Sequence, residues 1–151
     1  MNPRHPRLPR HSPAFTLVEM LVVLAIISLL AGVVVLNIAP QLLAGSQGKA
    51  KAQLQVFSTA LQAYRTDNGR YPTREQGLEA LVQKPTRPPI PARYPDAGYL
   101  NSRTLPLDPW GAPYIYLIPG RAGEAFEVLT YGADGEEGGS GANEDLSSAT
   151  P

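Results

Sequence analysis

The chain has 151 residues, enough for one domain with a modest hydrophobic core. It contains no cysteine, which excludes disulfides and thiol-based metal sites. Thirteen basic residues balance thirteen acidic residues, and this neutral total argues against a nucleic-acid partner bound through bulk charge. The charges are unevenly placed, because residues 1–14 hold three arginines and no acid, whereas residues 124–145 hold seven acids and no base.

The N-terminus combines a basic, proline-rich start with a long apolar stretch at residues 15–39. A helix of this length crosses a hydrocarbon layer of about 30 Å, so the stretch predicts a transmembrane segment. The arginines before it predict that residues 1–14 stay on the cytoplasmic side and that the rest of the chain lies across the membrane.

Three interpretations of this N-terminus are open. A secretory signal peptide has a shorter apolar core and a small-residue cleavage site after that core. A plain membrane anchor leaves Glu19 unexplained, because an unpaired carboxylate inside the apolar layer costs about 3 kcal/mol. A leader that is cut off before the apolar stretch gives Glu19 a function. The cut creates a new α-amino group at the start of that stretch, and this cation can pair with the carboxylate.

The segment PAFTLVE at residues 13–19 resembles the processing site of type IV pilins and type II secretion pseudopilins. The resemblance implies that residues 1–14 are a prepilin leader, which a prepilin peptidase in the membrane removes between Ala14 and Phe15. It also implies that Phe15 is N-methylated and that the apolar stretch remains in the mature protein. Ala14 departs from the family pattern, which has glycine at this position.

Glu19 has a physical reason to act in assembly. A buried carboxylate needs a cation or hydrogen-bond donors. In a filament of parallel, staggered helices, Glu19 of one copy can meet the α-amino group of Phe15 in its neighbour, and this pair would set the axial register. The alternative is a carboxylate that reaches the membrane surface from the start of the helix.

Residues 40–68 predict an amphipathic continuation of the helix. Pro40, Gly45 and Gly48 weaken the helix at its start. An apolar stripe then follows helical spacing, and the helix is expected to end at Asn68, before Gly69. The stripe consists of Leu54, Phe57, Leu61 and Tyr64.

Residues 69–151 predict a small globular head. Thr73 and Gln76 form a capping pattern that predicts a short helix over residues 74–84. Dense β-formers predict a strand at residues 114–118 and a returning strand at residues 125–131. We interpret the motif DPWG at residues 108–111 as a structural turn. The predicted fold class is α+β, with a long helix packed on a small antiparallel sheet.

The head motifs sharpen the resemblance. DNGRYPT at 67–73, EQGL at 75–78, DPWG at 108–111 and GADG at 132–135 together closely resemble the G-type pseudopilins of type II secretion. The resemblance implies a pilin-like fold and a homopolymer that forms the periplasmic pseudopilus and drives export of folded proteins. It also implies a single-pass inner-membrane protein with a periplasmic head, and partners that include minor pseudopilins and the inner-membrane assembly platform.

An alternative function stays open beside this one. A major or minor subunit of a type IV pilus, acting in adhesion, motility or DNA uptake, shares the leader but usually lacks these head motifs. An enzyme is not expected, because the only histidines, His5 and His11, lie in the leader. The sequence also contains no phosphate loop, nucleophile elbow or zinc spacing.

Residues 131–146 form an acidic, glycine-rich segment, called the acidic loop below. Carboxylates and backbone carbonyls of such a loop can converge on calcium, which takes six to eight oxygen ligands. The resemblance implies that the Asp134 and Asp145 side chains and the Tyr131 carbonyl bind calcium, with Asn143 and Glu144 as the further donors available. The alternative is a solvated, flexible loop without a metal.

Overall fold

The structure is a computed structural model that describes residues 15–149, and within α1 the side chains of residues 32–44 are not described. The chain divides into two compact units, one ending at Pro40 and the other beginning at Gln41. The elements in chain order are helix α1 (Leu17–Asn68), a 3-10 helix (Leu78–Leu81), strand β1 (Ile115–Leu117), strand β2 (Glu127–Thr130), a second 3-10 helix (Gly141–Asn143) and strand β3 (Leu146–Ser147).

The first unit is the N-terminal part of α1, and Thr16 caps it. The Glu19 backbone N–H donates to Thr16 Oγ1 at 3.1 Å, and the Met20 N–H donates to the Thr16 carbonyl at 3.2 Å. This pattern satisfies donors that a helix start otherwise leaves unpaired. Large apolar side chains from Leu17 to Leu30 are exposed in the isolated chain.

Within the described residues, no helix has both the length and the apolar character needed to cross a membrane. The predicted transmembrane segment at residues 15–39 runs into residues 32–44, whose side chains lie outside the described part.

Helix α1 ends where the sequence predicts. Its last residue is Asn68, and Gly69 follows in the left-handed region with φ 73°. The Gly69 N–H donates to the Arg65 carbonyl at 2.7 Å and closes the last turn. The helix also continues through Pro40, Gly45 and Gly48, so these residues do not end it.

The core of the second unit forms on the predicted apolar stripe of α1, all of which is buried. The stripe packs against Leu81, Val128 and Leu146 from the rest of the head. Phe57 meets Tyr114 edge to face, with ring centroids 5.0 Å apart. Burial raises the pKa of Tyr114 to about 12, as expected of a core tyrosine.

The sheet has three antiparallel strands in the order β1-β2-β3. In β1 and β2, Ile115 pairs with Leu129 and Leu117 pairs with Glu127, so the two predicted strands are confirmed with shorter bounds. Strand β3 pairs with β2 through Leu146. It was not predicted, because a strand of two residues is too short to show an alternation of apolar and polar residues.

The predicted helix over residues 74–84 is wrong in extent, because only the 3-10 turn Leu78–Leu81 forms there. The predicted capping pair is present: Gln76 N donates to Thr73 Oγ1 at 3.3 Å, and Thr73 N donates to Gln76 Oε1 at 3.1 Å. Gly77 adopts φ 61° directly after this pair. A left-handed residue cannot continue a right-handed helix, so the segment is divided at Gly77.

The DPWG motif is a structural turn, as interpreted from the sequence. Asp108 Oδ1 accepts hydrogen bonds from the N–H groups of Trp110 at 3.0 Å and Ala112 at 2.7 Å. Asp108 Oδ2 accepts from the hydroxyl of Thr130 at 2.5 Å. The buried carboxylate of Asp108 therefore ties the turn to strand β2.

Candidate functional site

The predicted N-terminal assembly site lies partly within the described residues. Ala14 is outside them, so the predicted cleavage position is described on one side only. Phe15 is 74% exposed, and Glu19 is exposed in the first turn of α1. A carboxylate at this place interacts favourably with the positive end of the helix dipole. The pattern Thr16-x-x-Glu19 is also a capping signature, which was not predicted, and the Glu19 N–H to Thr16 Oγ1 bond belongs to it.

The acidic loop closes on itself at its base. The Ala133 N–H donates to the Ala142 carbonyl at 3.0 Å. Gly132 has φ 72°, and a Cβ there would lie 2.9 Å from the Ala142 oxygen, so only glycine fits this close approach. Gln47 of α1 donates from Nε2 to the Gly141 carbonyl at 2.5 Å and holds the loop to the helix.

The predicted calcium ligands lie on both arms of this loop. Asp134 Oδ1 accepts from the Glu136 N–H at 3.2 Å, and Asp145 Oδ1 accepts from the Gly138 N–H at 3.1 Å. Asp145 thereby crosses the loop, whereas Asp134 forms a local turn. Tyr131, Asn143 and Asp145 are half-buried, and Asp134 and Glu144 are exposed.

The donor types in the acidic loop fit a hard cation. Each of the five predicted residues offers a carboxylate, amide or carbonyl oxygen, which is what calcium prefers. Within residues 15–149, however, no three acidic, histidine or cysteine side chains converge on one point. A calcium site here therefore depends on backbone carbonyls and the Asn143 amide as well as on the aspartates.

Arg121 forms an ionic cluster beside the acidic loop. Its guanidinium donates from Nη2 to Glu127 Oε1 at 2.9 Å, and it lies 3.6 Å from Glu137 Oε1 and 4.0 Å from Asp145 Oδ2. The hydrogen bonds from Arg121, and with them its charge, lower the pKa of Glu127 to about 2. This cluster connects the β1–β2 turn to the acidic loop.

Residues 37–149 match the protein family described as "Type II secretion system (T2SS), protein G". A "Type II secretion system core protein G" from Aeromonas hydrophila is 45% identical over 129 residues, which cover 85% of this chain and 88% of the relative. A protein of the same name from Vibrio cholerae is also 45% identical, with 91% of each chain covered. The chain belongs to the type II secretion system protein G family.

Two further comparisons agree with this family assignment. Residues 9–35 match the "Prokaryotic N-terminal methylation motif". The fold matches the crystal structure of the major pseudopilin from the type 2 secretion system of enterohaemorrhagic Escherichia coli. That match has a TM-score of 0.58 and 39% sequence identity, and it covers 69% of this chain and 86% of the solved chain. These relatives favour the pseudopilin over the type IV pilus subunit, so the main functional prediction is confirmed.

Two residues that shape the head of this pseudopilin, Arg121 and Gln47, were not predicted from the sequence. Arg121 is the only base after Arg103, in a segment rich in acids, and this isolation was a readable signal for an ion pair. Gln47 had no such signal, because its bond to Gly141 depends on how the acidic loop returns to the helix.

Proposed function

We propose that this protein is the polymerising subunit of a periplasmic pseudopilus and that it is stored in the inner membrane through residues 15–39 before assembly. The observation that carries the proposal is the family match over residues 37–149 together with the methylation motif over residues 9–35. In this proposal, a prepilin peptidase cuts between Ala14 and Phe15, and Phe15 is then N-methylated. The subunit polymerises with copies of itself and with minor pseudopilins on the inner-membrane assembly platform.

Deleting the gene is expected to remove specific folded proteins from the culture supernatant and to leave them in the periplasm. The reason is that a pseudopilus subunit acts in export across the outer membrane rather than in their synthesis. The measurement is a proteomic comparison of supernatant and periplasm between the deletion strain and the complemented strain. An unchanged supernatant with lost motility, adhesion or DNA uptake would instead identify a pilus subunit.

We also propose that the acidic loop binds calcium through the side chains of Asp134 and Asp145 and the carbonyl of Tyr131, with Asn143 and Glu144 as further donors. Two observations support it: the donors are all oxygens, and the Gly138 N–H directs the Asp145 carboxylate across the loop. Calcium would join the two arms of the loop and so stabilise the head.

Calcium at about 100 times its Kd is expected to raise the free energy of unfolding by about 2.7 kcal/mol. The measurement is thermal unfolding of the full chain in detergent, with calcium chloride or with a chelator, and with magnesium chloride as the ion control. Asp134→Ala combined with Asp145→Ala should abolish the shift. Glu136→Ala, on the same loop but outside the ligand set, should keep it. An equal calcium shift in the double variant would rule out this ligand set.

A further inference from the structure

The far end of the head carries an exposed loop rich in basic residues, beside the exposed side chains of Glu75 and Glu79. It is the proline-rich loop of residues 84–93, called the basic loop below, which contains three basic residues and no acid. Lys84, Arg87 and Arg93 are all exposed, and Ile90 between them is 54% exposed. An exposed large aliphatic side chain flanked by arginines is typical of a protein-binding surface.

Hydrogen bonds from the head fix the backbone of this loop. Gln76 donates from Nε2 to the carbonyls of Arg87 at 2.9 Å and Pro89 at 3.0 Å. The Arg93 N–H donates to Asn68 Oδ1 at 3.3 Å, and Asn68 is the last residue of α1. The basic loop is therefore preorganised and lies at the C-terminal end of the helix. Binding to such a loop loses little conformational entropy.

The acidic loop lies at the opposite end of the head. It contacts α1 at Gln47, and the helix from there to Asn68 measures about 30 Å at 1.5 Å per residue. Glu136 and Glu137 are exposed in this loop, the latter with 71% of its side chain. Neither belongs to the calcium ligands proposed above. The two loops at opposite ends of the head thus carry opposite charges.

We propose that the basic loop of one copy receives Glu136 and Glu137 in the acidic loop of the next copy in the filament. This inference rests on the proposed function, because it needs copies repeated along an axis. Copies related by an axial step bring different surfaces together, so the basic-loop end of one head faces the acidic-loop end of another. The opposite charges of the two loops favour this contact. Like charges oppose a contact between two basic loops or between two acidic loops.

Cysteine cross-linking tests the contact directly, since the chain has no cysteine of its own. The full-length variant with Thr86→Cys and Glu136→Cys is expected to form a ladder of disulfide-linked oligomers in assembled filaments. Within one copy the two positions lie at opposite ends of the head, too far apart for a disulfide. The control pairs Glu136→Cys with Thr59→Cys, an exposed residue of α1 between the two ends of the head, and should give about tenfold fewer oligomers.

Charge reversal is the second test. Arg87→Glu alone and Glu136→Arg alone are each expected to reduce the filament yield about tenfold, and the two together to restore it. Glu137 is left unchanged because it lies close to Arg121. If the unmodified protein forms no filament, the proposed function fails. If it forms filaments but the cysteine ladder is absent or the reversals have no effect, the polymer stands and this contact is wrong.

Discussion

Glu19→Ala is expected to leave the protein in the membrane but to reduce its filament yield by about tenfold or more. The proposed partner of Glu19 is the α-amino group that processing creates on Phe15 of a neighbouring copy. In the packed centre of a filament, removing one member of an ion pair leaves the other charge uncompensated. The measurement is the amount of sheared filament per unit of membrane-stored protein.

Two variants separate the ion pair from the helix cap. Thr16→Val removes the hydroxyl that accepts the Glu19 N–H but keeps the carboxylate, so assembly should remain near normal. Glu19→Gln keeps a side chain that can cap the helix start but removes the charge, so assembly should fall as in Glu19→Ala. Normal assembly of Glu19→Gln together with failure of Thr16→Val would show that the cap is what matters.

The main helix and the first two strands could be predicted because they follow from periodicity and composition. The apolar stripe on α1 identified the buried face, and Gly69 identified the helix end. The strands around the 119–123 turn were readable from their β-formers. In each case neighbouring residues in the sequence carry the signal, so no tertiary contact has to be known.

The missed features depend on contacts between distant residues. Strand β3 exists because Leu146 and Ser147 meet β2, and their own sequence does not require a strand. The helix predicted over 74–84 was wrong in extent because Gly77 adopts a positive φ and divides the segment. The sequence alone does not show which glycines adopt a positive φ. At the candidate calcium site the ligand types were readable, but the Gly138 N–H bond to Asp145 was not.

Arg121→Ala is expected to destabilise the head by about 3 kcal/mol. The side chain of Glu127 is 4% exposed, and it receives hydrogen bonds from Arg121 Nε and Nη2. Loss of the guanidinium leaves a buried carboxylate without its cation, which is a large penalty. Thermal unfolding followed by near-ultraviolet circular dichroism should show a midpoint lower by about 10 °C.

The same pair predicts how stability depends on pH. The pKa of Glu127 is lowered from its ordinary 4.5 to about 2 in the folded head. Because the folded-state pKa is the lower one, the pair contributes its full stability above pH 4.5 and loses it as the pH falls toward 2. Glu127→Gln titrates in neither state at this position. Its stability should therefore fall less than that of the unmodified protein between pH 5 and about pH 2.

A double variant makes the test specific to the pair. Arg121→Ala with Glu127→Gln should be more stable than Arg121→Ala alone, because the neutral amide carries no buried charge and can still accept the Ser147 hydroxyl that now meets Glu127 Oε1 at 2.7 Å. The coupling of the two side chains is the stability loss of the double variant minus the summed losses of the two single variants, each measured against the unmodified protein. Strictly additive losses would mean that Arg121 does not stabilise the head through Glu127. The contacts of Arg121 with Glu137 and Asp145 of the acidic loop lie outside this cycle.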